Sequence, residues 1–231
     1  MERPHIVCHM VVSLDGKVTG SFLFEPPCAQ ATEAYYRLHR QWQADGFICG
    51  RVTMEESFTG GWYPDVSQYE PMEKREDHVV CGGGFYAVAF DPRGRLGWRS
   101  PYIEDPDEDP GYHGARIVEV LSRQVDGRYL SYLEDKGISY LFAGEDSVDV
   151  KTALIKLKKL LGCRTLLLEG GSLINGAFQR AGAVDELSLV VAPTVADGQS
   201  KPLFADSALQ QFTLLSIQNE NGIPVLRYKR T

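Results

Sequence analysis

The sequence predicts an α/β protein whose largely parallel central sheet finishes in an antiparallel hairpin. Three observations predict it. Strand-like apolar runs alternate with helical patterns five times along the 231 residues. Several of those runs, GFICG (46–50) among them, are short and apolar, the pattern of a buried strand. The chain also ends in two strand-like runs around Asn221-Gly222, a favoured pair for two-residue hairpin turns. So short a connection leaves no room for a crossover, so those last two strands run antiparallel.

The elements follow in order. HIVCHMVVSL (5–14) reads as a strand ended by the turn pair Asp15-Gly16. A helix is expected over 29–44, where Ala34, Leu38 and Trp42 recur at helical spacing. GFICG is the second strand, and RVTMEESF opens a second helix with Thr53 and Glu56 in capping-box spacing. Residues 59 to about 113 are rich in turn signals and read as an irregular excursion, too thin in apolar residues to make a core of its own. Within it, DHVVCGG and FYAVAFD are short strand candidates, and the acidic run EDPDEDPGYHG reads as solvated. Regular alternation resumes with a strand at 115–123, a helix at 127–137 closed by Gly137, the strand ISYLFAG, and an amphipathic helix at 147–162 with apolar positions 150, 154, 157, 160 and 161. RTLLLEGG, SLINGAFQRAG and DELSLVVAPTV then read as strand, helix and strand, ahead of the hairpin FTLLSIQ–IPVLRYKR. The whole length is expected to form one domain, residues 1–231.

Composition narrows the function classes. A formal net charge of −7 argues against a nucleic-acid partner, which needs a basic face. No run of 18 apolar residues is present, so no membrane span is expected, and nothing at the start resembles a targeting signal. The cysteines at 8, 28, 49, 81 and 163 are scattered, with no C-x-x-C pair; Cys8, Cys49 and Cys81 read as small core residues. That usage fits a reduced, cytoplasmic compartment and neither a disulfide framework nor a zinc site.

In open sheets of this kind ligands bind beyond the carboxyl ends of the strands, where SLDG, GRVT, LSR and EGG lie. Gly170-Gly171 lets backbone approach a phosphate, and the helix from Ser172 through Leu173 and Ile174 offers its amide N–H groups. Gly50-Arg51-Val52-Thr53 repeats that arrangement with a guanidinium and a hydroxyl added, which suits a pyrophosphate; the other reading is a solvated arginine and a cap. Ser122-Arg123 follows a third strand and is what a monophosphate, such as the 2′-phosphate of NADPH, requires. The G-x-G-x-x-G fingerprint is missing, so a Rossmann site is not expected, yet one dinucleotide with three phosphates accounts for all three strand ends.

GRVTMEES resembles the glycine-arginine-x-threonine helix start of dihydrofolate reductases, VLSR their 2′-phosphate element, and EGG their glycine-pair turn. SLDGKV together with LLLEGGSLINGAFQRAGAVDELSLVVAPTVADG is similar to the reductase domain of bacterial riboflavin-biosynthesis proteins, the best-matching blocks being 5–20, 46–57 and 115–198. The resemblance implies a dihydrofolate-reductase-like three-layer α/β/α sandwich and hydride transfer from NADPH to the ribosyl carbon of a heterocyclic sugar-phosphate. It implies that Val11 lies beside the nicotinamide, that Thr53 and the helix start at Gly171–Ala177 hold the cofactor, and that Glu169 contacts substrate. It also implies a homodimer, for which the apolar terminal hairpin offers an edge. The substrate half departs from the family pattern: MEESFTGGWYP replaces an aspartate-aspartate-proline element, SFLFEPPCAQ a small-polar and tryptophan-isoleucine one, and Gln41 matches an expected phosphate-binding arginine, with Arg37 or Arg40 as substitutes. The zinc-deaminase pattern of the fused family members is missing from this sequence.

Glu169 and Asp15 are the ionisable candidates for catalysis at the strand ends, where one proton must be managed beside the hydride. For Asp15 two readings are open, since an Asp-Gly carboxylate also bonds its own turn. His9 reads as a hydrogen-bonded core histidine, and His39 as lying on an exposed or partly buried helix face. His78 and His113 have no metal-ligand spacing, and Trp62 and Trp98 either line a pocket or pack the excursion. Two other functions stay open: reduction of a different heterocycle, such as a pterin or dihydrofolate, and non-catalytic nucleotide binding.

Overall fold

A computed structural model describes residues 2–80, 83–105 and 109–231. In chain order its elements are β1 (His5–Val12), α1 (Ala29–Gln41), β2 (Gly46–Gly50), α2 (Arg51–Met54), β3 (Tyr86–Phe90), β4 (Arg116–Leu121), α3 (Gly127–Asp135), β5 (Ser139–Phe142), α4 (Val150–Leu161), β6 (Thr165–Leu168), α5 (Ser172–Arg180), β7 (Glu186–Val191), β8 (Phe212–Glu220) and β9 (Ile223–Arg230). The chain divides into two compact units, Met1–Pro4 with Ala44–Arg164 and His5–Gln43 with Thr165–Thr231.

In the first unit, four parallel strands lie in the order β5-β4-β3-β2. β3 and β4 are almost continuously buried, as parallel strands covered on both faces must be. Tyr86–Phe90, expected as a minor strand of the excursion, is an interior strand between β2 and β4. The excursion also supplies core: Leu96, Trp98, Ile103 and Tyr112 are buried, and Tyr112 meets Phe47 of β2 edge-on at 5.0 Å. Trp98 therefore packs, while Trp62 lies half-buried under the Arg99 guanidinium.

Two expectations for this unit need correction. Thr53 does not cap a helix: α2 starts at Arg51 directly after the extended Gly50, which places Thr53 inside its only turn. The backbone then widens into a π-turn over Glu55–Thr59. DHVVCGG forms an isolated bridge between His78 and Tyr140 and no strand among the described residues; Cys81 and Gly82 lie outside them, as do residues 106–108 of the acidic run. Asp126 and Asp149 cap α3 and α4 by accepting from the N–H groups of Arg128 and Thr152.

In the second unit, β1 lies between β6 and β7, parallel to both, and β9 and β8 continue antiparallel beyond β7. The Asn221-Gly222 turn carries positive φ at both residues, 53° and 94°, as its type requires. β1 is buried at every position after His5. Its Val11 joins Phe22, Ala31, Ala34, Val190 and Val225 in one apolar cluster under α1. The mostly parallel sheet closed by an antiparallel hairpin is thus the fold class expected from the sequence.

α5 is held from outside by the segment 202–208. Ser172 Oγ donates to the Pro202 carbonyl at 2.5 Å, and Gln179 exchanges bonds with Ala208 in both directions. Gly176 is the close-approach point: a Cβ there would come within 1.8 Å of the Ala205 carbonyl oxygen. Among the described residues no helix is long and apolar enough to cross a membrane.

Candidate active site

The second unit brings most of the expected site residues together around the ends of β1 and β6. Cys8 lies opposite Leu168 in the parallel register, so the chain leaving β6 at Glu169 runs beside the last residues of β1. Gly170 adopts φ +106°, a region that a side chain disfavours, and a Cβ there would sit 3.2 Å from the Met10 methyl. The Gly170–Gly171 peptide is cis. Gly171 then opens α5 without any side-chain cap, while Leu173 is exposed and Ile174 buried. Asn175, fully buried on α5, has no hydrogen-bond partner among the described residues on either side-chain amide atom.

Glu169 is almost fully enclosed. Its Oε1 meets His39 Nδ1 of α1 at 2.7 Å, with the two side chains 2% and 1% exposed. His39 is thus a buried residue rather than one on an exposed or half-exposed face. The reason is its spacing: it lies four residues after Tyr35, which packs on the core cluster, and so turns inward with it. This is the site residue that the sequence reading missed.

His9 is the hydrogen-bonded core histidine it was expected to be. Its Nε2 faces the Tyr35 carbonyl at 3.1 Å, its Nδ1 faces Ser188 Oγ at 3.0 Å, and its ring stacks on Tyr35 at 4.5 Å. A carbonyl only accepts, so Nε2 carries the proton towards Tyr35, while Nδ1 faces both the Ser188 hydroxyl, which can donate to it, and the Ser188 carbonyl at 3.3 Å, which cannot. Burial lowers the His9 pKa in agreement.

Asp15 is engaged by neighbouring backbone and side chain at the end of β1. It is exposed, and its Oδ1 accepts from Ser13 Oγ at 2.6 Å and from the Ala196 N–H at 3.0 Å. The Ser13 hydroxyl, and then the Ala196 N–H, hold its pKa below the usual value. Those bonds tie the turn after β1 to the loop after β7, the backbone role that was one of its two readings.

The first unit gathers Arg51, Ser122 and Arg123 at the ends of β2 and β4, two strands flanking β3. Arg51 pairs with Glu55 one turn along, and Val52 is largely exposed beside it. Arg123 pairs with Glu145 at 3.1 Å on the surface. In place of the accessible hydroxyl expected there, Ser122 is fully buried and donates to the Pro92 carbonyl at 2.7 Å. Its hydroxyl holds the turn that follows β3. Of the arginines considered for a substrate phosphate, Arg37 pairs with Glu220 at 2.8 Å.

Below these strand ends lie two more buried carboxyl groups, Asp91 and Glu119. Glu119 accepts from Trp98 Nε1 and, at 3.4 Å, from the Tyr129 hydroxyl; its Oε2 has no partner among the described residues. Burial, and then the nearby Asp91, push its pKa well above the ordinary value.

Residues 113–222 match the RibD C-terminal domain. That is the reductase-domain family which the motifs resemble. A 2,5-diamino-6-ribosylamino-4(3H)-pyrimidinone 5′-phosphate reductase of Aquifex aeolicus is 26% identical over 207 residues, covering 87% of this chain and 82% of the relative. Two solved structures share the fold. RibD of Acinetobacter baumannii matches with a TM-score of 0.68 and 21% identity over 99% of this chain, which spans 58% of the RibD chain. A pyrimidine reductase-like protein of Corynebacterium diphtheriae matches with a TM-score of 0.70 and 18% identity, over 99% of this chain and 92% of its own.

Proposed function

We propose that this protein is an NADPH-dependent reductase acting on a ribosylaminopyrimidine 5′-phosphate of riboflavin biosynthesis. The observation that carries the reading is the Aquifex aeolicus relative, a reductase of such a phosphate, aligned over most of both chains. The strand ends fit the cofactor in part. Gly170 and the uncapped start of α5 form a backbone cradle without side chains, suited to a phosphate. Arg51 and Arg123 are cations near the surface of the first unit, able to exchange their carboxylate partners for phosphate oxygens. Ser122 drops out of the set, because its hydroxyl is buried and engaged.

When bound, the nicotinamide supplies the hydride. Within the second unit, the Gly170–Ile174 segment would hold part of the cofactor and Glu169 would accept from the N–H edge of the substrate, while Val11 packs in the apolar cluster under α1 and would shape the site from behind. We further infer a cytoplasmic homodimer that pairs through β8, an edge strand with Leu214, Leu215 and Ile217 exposed. Titration with NADPH is expected to raise the melting temperature. Incubation with the ribosylamino-pyrimidine phosphate is expected to consume NADPH. Absence of any thermal shift at millimolar NADPH would sink the reading.

A further inference from the structure

We propose that His39 is a positioning residue that keeps Glu169 ionised, so that a buried carboxylate stands ready at the end of β6. The inference rests on the reading of Glu169 as the substrate-contacting acid, and it starts from the solvation problem which that reading creates. A carboxylate at 2% exposure cannot rely on water, and an isolated one would take up a proton. A protonated Glu169 would donate where a pyrimidine N–H edge needs an acceptor. His39, at 2.7 Å and enclosed with it, supplies the opposite charge.

Three features favour charge on this histidine and not on its neighbour. His39 lies in the last turn of α1, where the carbonyl end of the helix stabilises a cation. Glu169 precedes the first residue of α5 by three positions, near a helix end that favours an anion. His9, on the strand next to β6, is fully buried, and burial lowers its pKa. The ionisable groups of β1 that couple to Glu169 are His9 and Cys8, and burial holds both uncharged. The pair is thus a fixed dipole, with its positive end in α1 and its negative end at the strand terminus.

The test has two arms. ¹⁵N NMR of the imidazoles, with the His39 signal assigned by its loss in His39→Asn, is expected to show His39 doubly protonated at neutral pH in the wild type and neutral in Glu169→Gln. A neutral His39 in the wild type would overturn the proposal, whether or not the protein is a pyrimidine reductase. In the kinetic arm, His39→Asn retains a donor near the same position without the charge. It is expected to lower kcat at least tenfold while leaving the NADPH Kd within about twofold. Unchanged kcat in a folded His39→Asn variant would also overturn it. If the wild type turns over no substrate, the functional reading fails, and the NMR arm alone decides the state of the pair.

Discussion

Each unit of this protein encloses a carboxyl group, and the two are made tolerable by different means. In the second unit Glu169 is given a partner of opposite charge, His39, at 2.7 Å. In the first, the partners of Glu119 among the described residues are neutral donors, Trp98 and Tyr129, with a second carboxyl group, Asp91, nearby. A partnered acid can stay ionised in a dry site, whereas an unpartnered one resolves the conflict by binding a proton. The contrast sets a carboxyl group given a counter-charge at a strand end against one left among neutral donors within the core. The helices differ in parallel: α3 and α4 begin on capping aspartates, while α1 and α5 have no side-chain cap.

The largest effect should come from breaking the partnered acid. His39→Leu leaves a buried carboxylate without its cation and is expected to lower stability by about 3–5 kcal/mol, read from urea unfolding at neutral pH. Replacing both residues by leucine should recover most of that loss. A single variant no less stable than the double would erase the distinction between the two acids.

Glu119 should respond in the opposite sense. Its folded pKa is raised, so its contribution to stability is full below the unfolded value of about 4.3 and is lost as pH rises towards the folded pKa. Asp91, raised by burial, adds a slope of the same sign. Glu119→Gln removes one proton's share, up to about 1.4 kcal/mol per pH unit. The variant should therefore gain on the wild type as pH rises from about 4.3 towards the folded pKa, as followed by thermal melts across a pH series. Parallel stability profiles for the two proteins would mean that Glu119 is ionised after all.

The smallest effect concerns the caps. Asp149→Ala should cost about 1 kcal/mol by freeing the Thr152 N–H at the start of α4. Circular dichroism melts would register it, and NADPH binding should not change.

Much of the scaffold was legible because it is written locally. The Asn221-Gly222 pair fixed the hairpin, Gly137 and Gly182 marked helix ends, and the strand cores appeared as apolar runs. What escaped is written across distance. The partner of Glu169 lies 130 residues earlier in the chain, on a helix whose apolar stripe seemed to run through Ala34, Leu38 and Trp42 and to pass His39 by. The status of β3 was hidden for a related reason. Tyr86–Phe90 is surrounded by turn-rich sequence, and only pairing on both sides reveals it as interior. Ser122 was misjudged because a hydroxyl at a strand end looks the same whether it meets a ligand or the Pro92 carbonyl.

Gly176 carries one more consequence. With the Ala205 carbonyl oxygen 1.8 Å from where a Cβ would stand, even alanine collides with backbone rather than with a side chain that could swing away. In a saturation library this codon should tolerate synonymous changes alone, while Leu173, three residues earlier and largely exposed, accepts broad variation. A helix that looks uniform in sequence thus has one rung closed to drift, and descendants of this chain would show glycine there long after their surfaces had diverged.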